Sequence, residues 1–206
     1  MARTKSSASW LSRHLSDPFV KQAQKDGYRS RSAYKLIELN DKDKLIRPGM
    51  RIMDLGSAPG GWSQVAGKLV GEKGRVLATD ILPMEELRNV DFMQGDFTDD
   101  AIVQRVLEWL GAAKFDLVIS DIAPNISGID SADQARSIYF LELALDTVQK
   151  TLKPGASFAA KMFQGSGSDE YLRTLRAHFA KVLIRKPAAS RKESREVYVV
   201  AKGFKG

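Results

Sequence analysis

The chain is predicted to be an α/β protein, a mostly parallel sheet with helices on both faces. Three observations predict it. Short apolar runs alternate along the chain with stretches whose apolar residues recur at helical spacing. The first run, Arg51-Ile-Met-Asp-Leu55, feeds a glycine-rich turn, Gly56 to Gly61, with a helix opening near Trp62. A strand feeding such a turn puts a ligand at the carboxyl end of the sheet, beside a helix N-terminus. The last two runs, Val182 to Lys186 and Val197 to Ala201, are joined by a loop and not by a helix. One strand of the sheet must therefore run antiparallel.

Residues 1 to 8 are small, polar and basic and read as an arm. Trp10 to Lys25 reads as helical, with Asp17-Pro18 a cap and first-turn proline. Gly27 breaks that pattern, and Ser30-Arg31-Ser32 starts a helix carrying Ala33, Leu36 and Ile37 on one side, with Lys35 off the stripe. Asp41 to Pro48 is a charged loop into the first strand. After the glycine turn, Trp62, Val65, Ala66 and Leu69 mark a helix, Gly71 to Gly74 a turn, and Arg75 to Asp80 a second strand ending on an acid. Asp91 to Gln94 is a third strand running into Gly95-Asp96-Phe97. Ile102, Val103, Val106, Leu107 and Leu110 mark a helix closed by Gly111. Phe115 to Ser120 is a fourth strand that delivers Asp121-Ile-Ala-Pro-Asn125. The stripe Ile138, Leu141, Leu145, Val148 and Leu152 is a helix stopped by Pro154-Gly155. Ser157 to Met162 is a fifth strand containing Lys161, and Tyr171, Leu172, Leu175 and Phe179 a further helix. A basic loop, Pro187 to Arg195, joins the last two strands, which brings the count to seven.

A length of 206 residues suits one domain with a full core. The absence of cysteine rules out a disulfide framework and a thiolate metal site, and only His14 and His178 offer imidazole. No metal is expected. The sequence has no apolar run of the roughly 18 residues a membrane helix needs. Met1-Ala-Arg-Thr-Lys5 has no apolar signal core, so a cytoplasmic protein is expected. Net charge is +7, from 32 Lys and Arg against 25 Asp and Glu. The excess gathers in two places. Arg3, Lys5, Arg13, Lys21, Lys25, Arg29, Arg31 and Lys35 face only two acids, and Arg185, Lys186, Arg191, Lys192 and Arg195 cluster near the other end. Two such patches favour a nucleic-acid partner.

The glycine turn has three readings. A dinucleotide site wants G-x-G-x-x-G, but Ala58 fills the second glycine position. A P-loop wants Gly-Lys-Ser/Thr, and Trp62 follows Gly61 instead. A nucleoside cofactor without phosphates, S-adenosylmethionine (SAM), fits best. Asp54, Asp80, Asp96 and Asp121 each lie at or just beyond a strand end, where a parallel sheet gathers them at one crevice. Asp80 is placed to accept both ribose hydroxyls and Asp96 an adenine amino group, while Asp54 serves better to hold the glycine loop. A single aspartate there is more readily a turn former; four in register are not. Gly60 is where a side chain would collide with a ligand, and Trp62 either walls a cofactor or sits in the core. Lys161 is flanked by Phe158, Ala159, Ala160, Met162 and Phe163. Lysine is rarely buried unless paired, and burial or a nearby cation favours the neutral amine that takes a proton. Glu196 is open between a partner for Lys161 and a surface acid.

Asp-Leu-Gly-Ser-Ala-Pro-Gly-Gly-Trp-Ser-Gln (54 to 64), Ser-Asp-Ile-Ala-Pro-Asn (120 to 125), Lys-Met-Phe-Gln-Gly (161 to 165) and Ser-Arg-Glu-Val-Tyr (194 to 198) occur in order, with Arg-Ser-Arg-Ser-Ala-Tyr-Lys-Leu (29 to 36) ahead of them. Together they resemble the FtsJ/RrmJ (RlmE) family of SAM-dependent ribosomal RNA ribose 2′-O-methyltransferases. Departures are mild, with Ser57 where the family often has alanine. The resemblance implies a Rossmann-like methyltransferase fold with a seven-stranded, mostly parallel sheet and one antiparallel strand. It implies a catalytic set of Lys35, Asp121, Lys161 and Glu196, and cofactor contacts at Gly60, Trp62, Asp80, Asp96 and Asp121. The expected substrate is a uridine of large-subunit (23S) ribosomal RNA, the competing readings being transfer RNA, an mRNA cap, or an inactive RNA-binding homologue. A nicotinamide oxidoreductase is disfavoured by the loop. The chain is expected to be one monomeric domain, with 1–28 a basic extension and 29–206 the catalytic core.

Overall fold

Seven strands build one sheet in a computed structural model that describes residues 17–124 and 127–206. They are β1 (Arg51–Leu55), β2 (Arg75–Asp80), β3 (Val90–Gln94), β4 (Phe115–Ser120), β5 (Leu152–Phe163), β6 (Phe179–Arg185) and β7 (Glu196–Phe204). Their order is β3-β2-β1-β4-β5-β7-β6. Parallel pairing runs from β3 through β5, and β7 is antiparallel to both β5 and β6. The helices are α1 (Pro18–Lys25), α2 (Ala33–Asp43), α3 (Gly61–Val70), α4 (Asp100–Leu110), α5 (Asp130–Thr151) and α6 (Ser168–His178). The arm, the Trp10 end of the first expected helix, and Asn125 lie outside the described residues.

Side chains alternate across a strand, and this period of two sorts the sheet into two cores. Met53, Leu55, Leu77, Val118, Phe158, Val197 and Val199 face the layer holding α4, α5 and α6. Ile52, Val76, Leu117, Ile119, Ala159, Tyr198 and Val200 face α2 and α3. The same alternation puts Asp54, Lys161 and Glu196 on the α2/α3 face, since each is two residues from a member of that second core. Strand order reverses direction of growth between β1 and β4, so a crevice opens at their carboxyl ends.

Several boundaries differ from those the sequence suggests. Asp17 does cap α1, accepting from the Phe19 amide at 2.9 Å with Pro18 in the first turn. In α3 the core takes Val70, and Leu69 is 36% exposed. In α2 it takes Leu39, while Ile37 is half-buried. α5 stops at Thr151, before Pro154-Gly155, because β5 already begins at Leu152. β5 then shifts register, with Phe115 opposite Leu152 but Leu117 opposite Ser157, so the proline and glycine sit in a bulge and not at a helix end. Phe179 caps α6 and opens β6 in extended backbone.

Candidate active site

Lys161, on the α2/α3 face of β5, reaches past the end of β4. Its Nζ lies 2.8 Å from Asp121 Oδ1 and donates to the Asp121 carbonyl at 2.8 Å. Tyr198 is the cross-strand neighbour of Lys161 on β7, and Glu196 lies two residues before it on the same face. α2 brings Lys35 down onto this pair, with its Nζ 2.8 Å from Glu196 Oε1 and 3.7 Å from Asp121 Oδ1. Lys161 stands 3.8 Å from Glu196 Oε2. Two ammonium groups and two carboxylates thus form a closed set, and both lysines are 8% exposed. Lysines tolerate such burial because each meets both acids. Burial opposes ionisation of Glu196, but Lys35 and then Lys161, with hydrogen bonds from Lys35 and Ser190, hold its carboxyl down at about 2.

Tyr198 completes the cluster. Its hydroxyl donates to Asp121 Oδ1 and reaches Glu196 Oε1 at 3.3 Å. Burial first, then Asp121 and Glu196, keep the phenol well above its ordinary value, so it remains a donor. Ser190 Oγ donates to Glu196 Oε1 at 2.8 Å, and the Lys35 ammonium lies 5.4 Å from the Tyr198 ring centroid. Sequence reasoning overlooked Tyr198 and Ser190. The spacing Glu196, Tyr198 on one strand face was a usable signal for the first; for the second there was none.

A cleft of about 320 Å³ opens beside this cluster, lined among others by Gly56, Asp80, Asp96, Phe97, Asp121 and Pro124. Asp80 accepts from the Ala58 amide at Oδ2 and the Leu82 amide at Oδ1, both at 2.8 Å, which fixes its carboxylate at the floor. Asp96 Oδ1 accepts from the amide and hydroxyl of Thr98 at 2.9 and 2.7 Å. Asp121 is paired with Lys161 and Lys35, but Asp80 and Asp96 make no ion pair among the described residues, and no lysine or arginine lines the cleft. Such a cleft attracts a cation that carries hydroxyl or amine donors and repels phosphates. Gly56 has φ +67°, and a Cβ there would stand 2.0 Å from Ile122 Cγ1, so only glycine lets the β1 turn close under the cleft.

Asp54, Gly60 and Trp62 do not line the cleft. Asp54 is buried and accepts from Ser63 Oγ at 2.6 Å, which ties β1 to the first turn of α3. Burial pushes its carboxyl up to about 7 against that hydrogen bond, with Asp121 and Asp80 adding to the rise. A side chain at Gly60 would meet protein, with Met84 Sδ at 2.8 Å and a guanidinium nitrogen of Arg29 at 3.0 Å, and φ is +104°. The Trp62 ring is 2% exposed, packs on Tyr198 with centroids 5.6 Å apart, and donates Nε1–H to Ser32 O at 2.9 Å. The ring therefore sits in the core, and what Gly60 and Trp62 can offer a ligand is backbone at the α3 N-terminus.

Residues 28–204 match the family model described as FtsJ-like methyltransferase. The chain belongs to that family. Among curated relatives, a ribosomal RNA large subunit methyltransferase E of Stutzerimonas stutzeri is 68% identical over the whole of both chains. One of the same name from Marinobacter nauticus is 61% identical, covering 100% of this chain and 99% of that one. A crystal structure described as a ribosomal RNA methyltransferase of Plasmodium falciparum superposes with a TM-score of 0.77 at 30% identity, covering 87% of this chain and 100% of that one.

In this FtsJ-like methyltransferase the basic residues divide into two groups. Arg29 donates to the carbonyls of Pro59, Glu85 and Glu86 at 3.3, 2.9 and 2.9 Å, stapling the glycine loop to the segment after β2. Arg31 bridges Asp17 and the Ala189 carbonyl, and Arg185 holds Asp43 with two bonds of 2.8 and 2.9 Å. Lys186 donates to the carbonyls of Ser194 and Glu196. These four are taken up by the fold. Lys21, Lys25, Arg191 and Lys192 are exposed and make no ion pair among the described residues. Among the described residues no helix is long and apolar enough to cross a membrane, and no acid or histidine group is arranged to hold a metal.

Proposed function

We propose that the chain transfers a methyl group from SAM to the ribose 2′-hydroxyl of a uridine in large-subunit (23S) ribosomal RNA. The carrying observation is the contact of Lys161 with Asp121 where the anionic cleft meets the buried lysine–acid cluster. SAM suits that cleft chemically, being a cation with ribose hydroxyls and amines for three carboxylates. Asp80 would hold the ribose, Asp96 the adenine edge, Asp121 the methionine end, and Gly60 and Trp62 would contribute backbone. SAM supplies an electrophilic methyl on a sulfonium, so the protein's task is alignment and proton removal. Lys161 acts as its neutral amine: Nζ gives up a proton to solvent before transfer and then takes the proton of the attacking hydroxyl. Asp121 aims that amine at two points, its carboxylate and its carbonyl. Lys35 and Glu196 position the ribose and balance the cluster's charge.

The names of the relatives support a ribosomal substrate over transfer RNA or a cap. With them goes a cytoplasmic, monomeric protein, residues 29–206 being the catalytic core and 1–28 a basic extension. The test uses purified protein, tritium-labelled SAM and large ribosomal subunits from cells lacking the protein. Label should appear on the ribose oxygen of one uridine of the 23S RNA. Label on a base or on protein, or none, would refute the reading.

A further inference from the structure

The loop between β6 and β7 carries Ser190 against the cluster of buried lysines and acids. Ser190 is 5% exposed, and its Oγ donates to Glu196 Oε1 at 2.8 Å. The same oxygen meets Lys35 Nζ at 2.8 Å and the Tyr198 hydroxyl at 3.3 Å. Three donors thus converge on Oε1. The other oxygen, Oε2, accepts no hydrogen bond among the described residues, and Lys161 Nζ stands 3.8 Å from it. Nor is Oε2 shut in: the enclosed side-chain polar atoms without a partner, among the described residues, are Arg31 Nε, Ser57 Oγ, Thr79 Oγ1 and Gln134 Oε1. Donors gathered on one carboxylate oxygen fix the plane of the group and leave the second oxygen as its free acceptor.

The place of Ser190 is itself imposed by α2. The Ala188 amide donates to Glu38 Oε2 at 2.6 Å, and Arg31 donates to the Ala189 carbonyl. Arg31 precedes Lys35 by about one helical turn and Glu38 follows it by about one, so the two clamps grip the loop on either side of Lys35. The Ser190 amide closes the stretch by donating to the Pro187 carbonyl at 2.9 Å. Lys35 and Ser190 therefore reach Glu196 along one docked seam. Arg191, next in the chain, is exposed, so a single loop presents a cation to solvent and a hydroxyl to the cluster. We propose that Ser190 is a positioning residue for methyl transfer, holding Glu196 by Oε1 so that Oε2 stays open to accept from the ribose of the substrate. A hydroxyl sets that direction without altering the balance of two lysines against two acids. This rests on the proposed ribose methylation, in which Glu196 positions the ribose.

Rates of tritiated-methyl transfer to large subunits, measured across subunit concentrations at saturating SAM, test the inference with wild type, Ser190→Ala, Glu196→Ala and the double variant. Ser190→Ala should lower kcat about tenfold, the low end of what a hydrogen bond to a charged group contributes, with KM for subunits and SAM affinity held within about twofold. In the Glu196→Ala background the same replacement should change kcat by less than about twofold, because the carboxylate it positions is gone. A contact that only holds the loop together would cost the same factor in both backgrounds. Ser190→Ala at the wild-type rate, or an equal loss with and without Glu196, overturns the positioning role while leaving ribose methylation standing. If Glu196→Ala transfers no label, KM decides: unchanged in Ser190→Ala it upholds the role, and raised severalfold it overturns it. Wild type that labels no ribose oxygen overturns the functional reading and this role with it.

Discussion

Replacing Asp54 by Asn should make the protein more stable at neutral pH and flatten its pH dependence. Asp54 is wholly buried beneath the glycine turn, with one strong partner, Ser63 Oγ at 2.6 Å. Its carboxyl is raised from 3.8 to about 7 in the folded protein. The sign follows from proton counting. Between about pH 4 and 7 the unfolded chain has lost this proton and the folded one keeps it, so stability is fully present below pH 4 and is lost as pH rises through 7. A shift of that size corresponds to about 4 kcal/mol at ~1.4 kcal/mol per pH unit, an upper figure because relaxation and water entry soften buried charges. Asparagine keeps an oxygen to accept from Ser63 and has no charge to bury. Urea unfolding of both proteins at intervals from pH 4 to 8 reads the effect. The two curves should meet near pH 4, diverge steadily up to about pH 7 and stay a few kcal/mol apart at pH 8, with Asp54→Asn the more stable. Parallel curves across that range would refute a raised Asp54 and the neutral-acid contact with Ser63.

Tyr198→Phe removes the hydroxyl that donates to Asp121 and reaches Glu196. It should lower kcat about tenfold, ~1.4 kcal/mol in barrier, with SAM affinity measured by calorimetry unchanged. Charge reversal at Lys21, Lys25, Arg191 and Lys192 should weaken RNA binding and reduce its salt slope by roughly one unit for each phosphate left without its cation. Reversal at Arg29 should instead lower the melting temperature, because its guanidinium holds three backbone carbonyls.

Much of this arrangement is legible in the chain. Strand-end acids are visible because β4 carries the apolar run Leu117-Val-Ile119 shortly before Asp121, and β2 the run Val76-Leu-Ala78 shortly before Asp80. Lys161 stands out by its apolar neighbours. Lys35 does not, since its counter-ions lie 86 and 161 residues further along, at Asp121 and Glu196, and helical periodicity reports only which residues face one another within α2. The family resemblance, not the pattern, picks out Lys35. Gly60 illustrates the converse. Its sequence context suggests ligand clearance, yet the space above it is filled by Met84 and Leu87 from the segment after β2 and by Arg29 from the turn before α2, whose meeting no local signal encodes. The basic clusters also mislead in part, because composition counts a guanidinium that binds carbonyls the same as one that faces solvent.

Lys161→Ala is the most direct measurement. The Lys161 Nζ is the group in contact with Asp121 at the junction of cleft and cluster, and no other amine in the set touches that carbonyl. Transfer of tritiated methyl to large subunits should fall at least 1,000-fold, in line with the roughly 10²–10⁴ that proton transfer contributes, while SAM affinity stays within about twofold. A variant that methylates at the wild-type rate with SAM bound normally would contradict the assignment of Lys161 as proton acceptor.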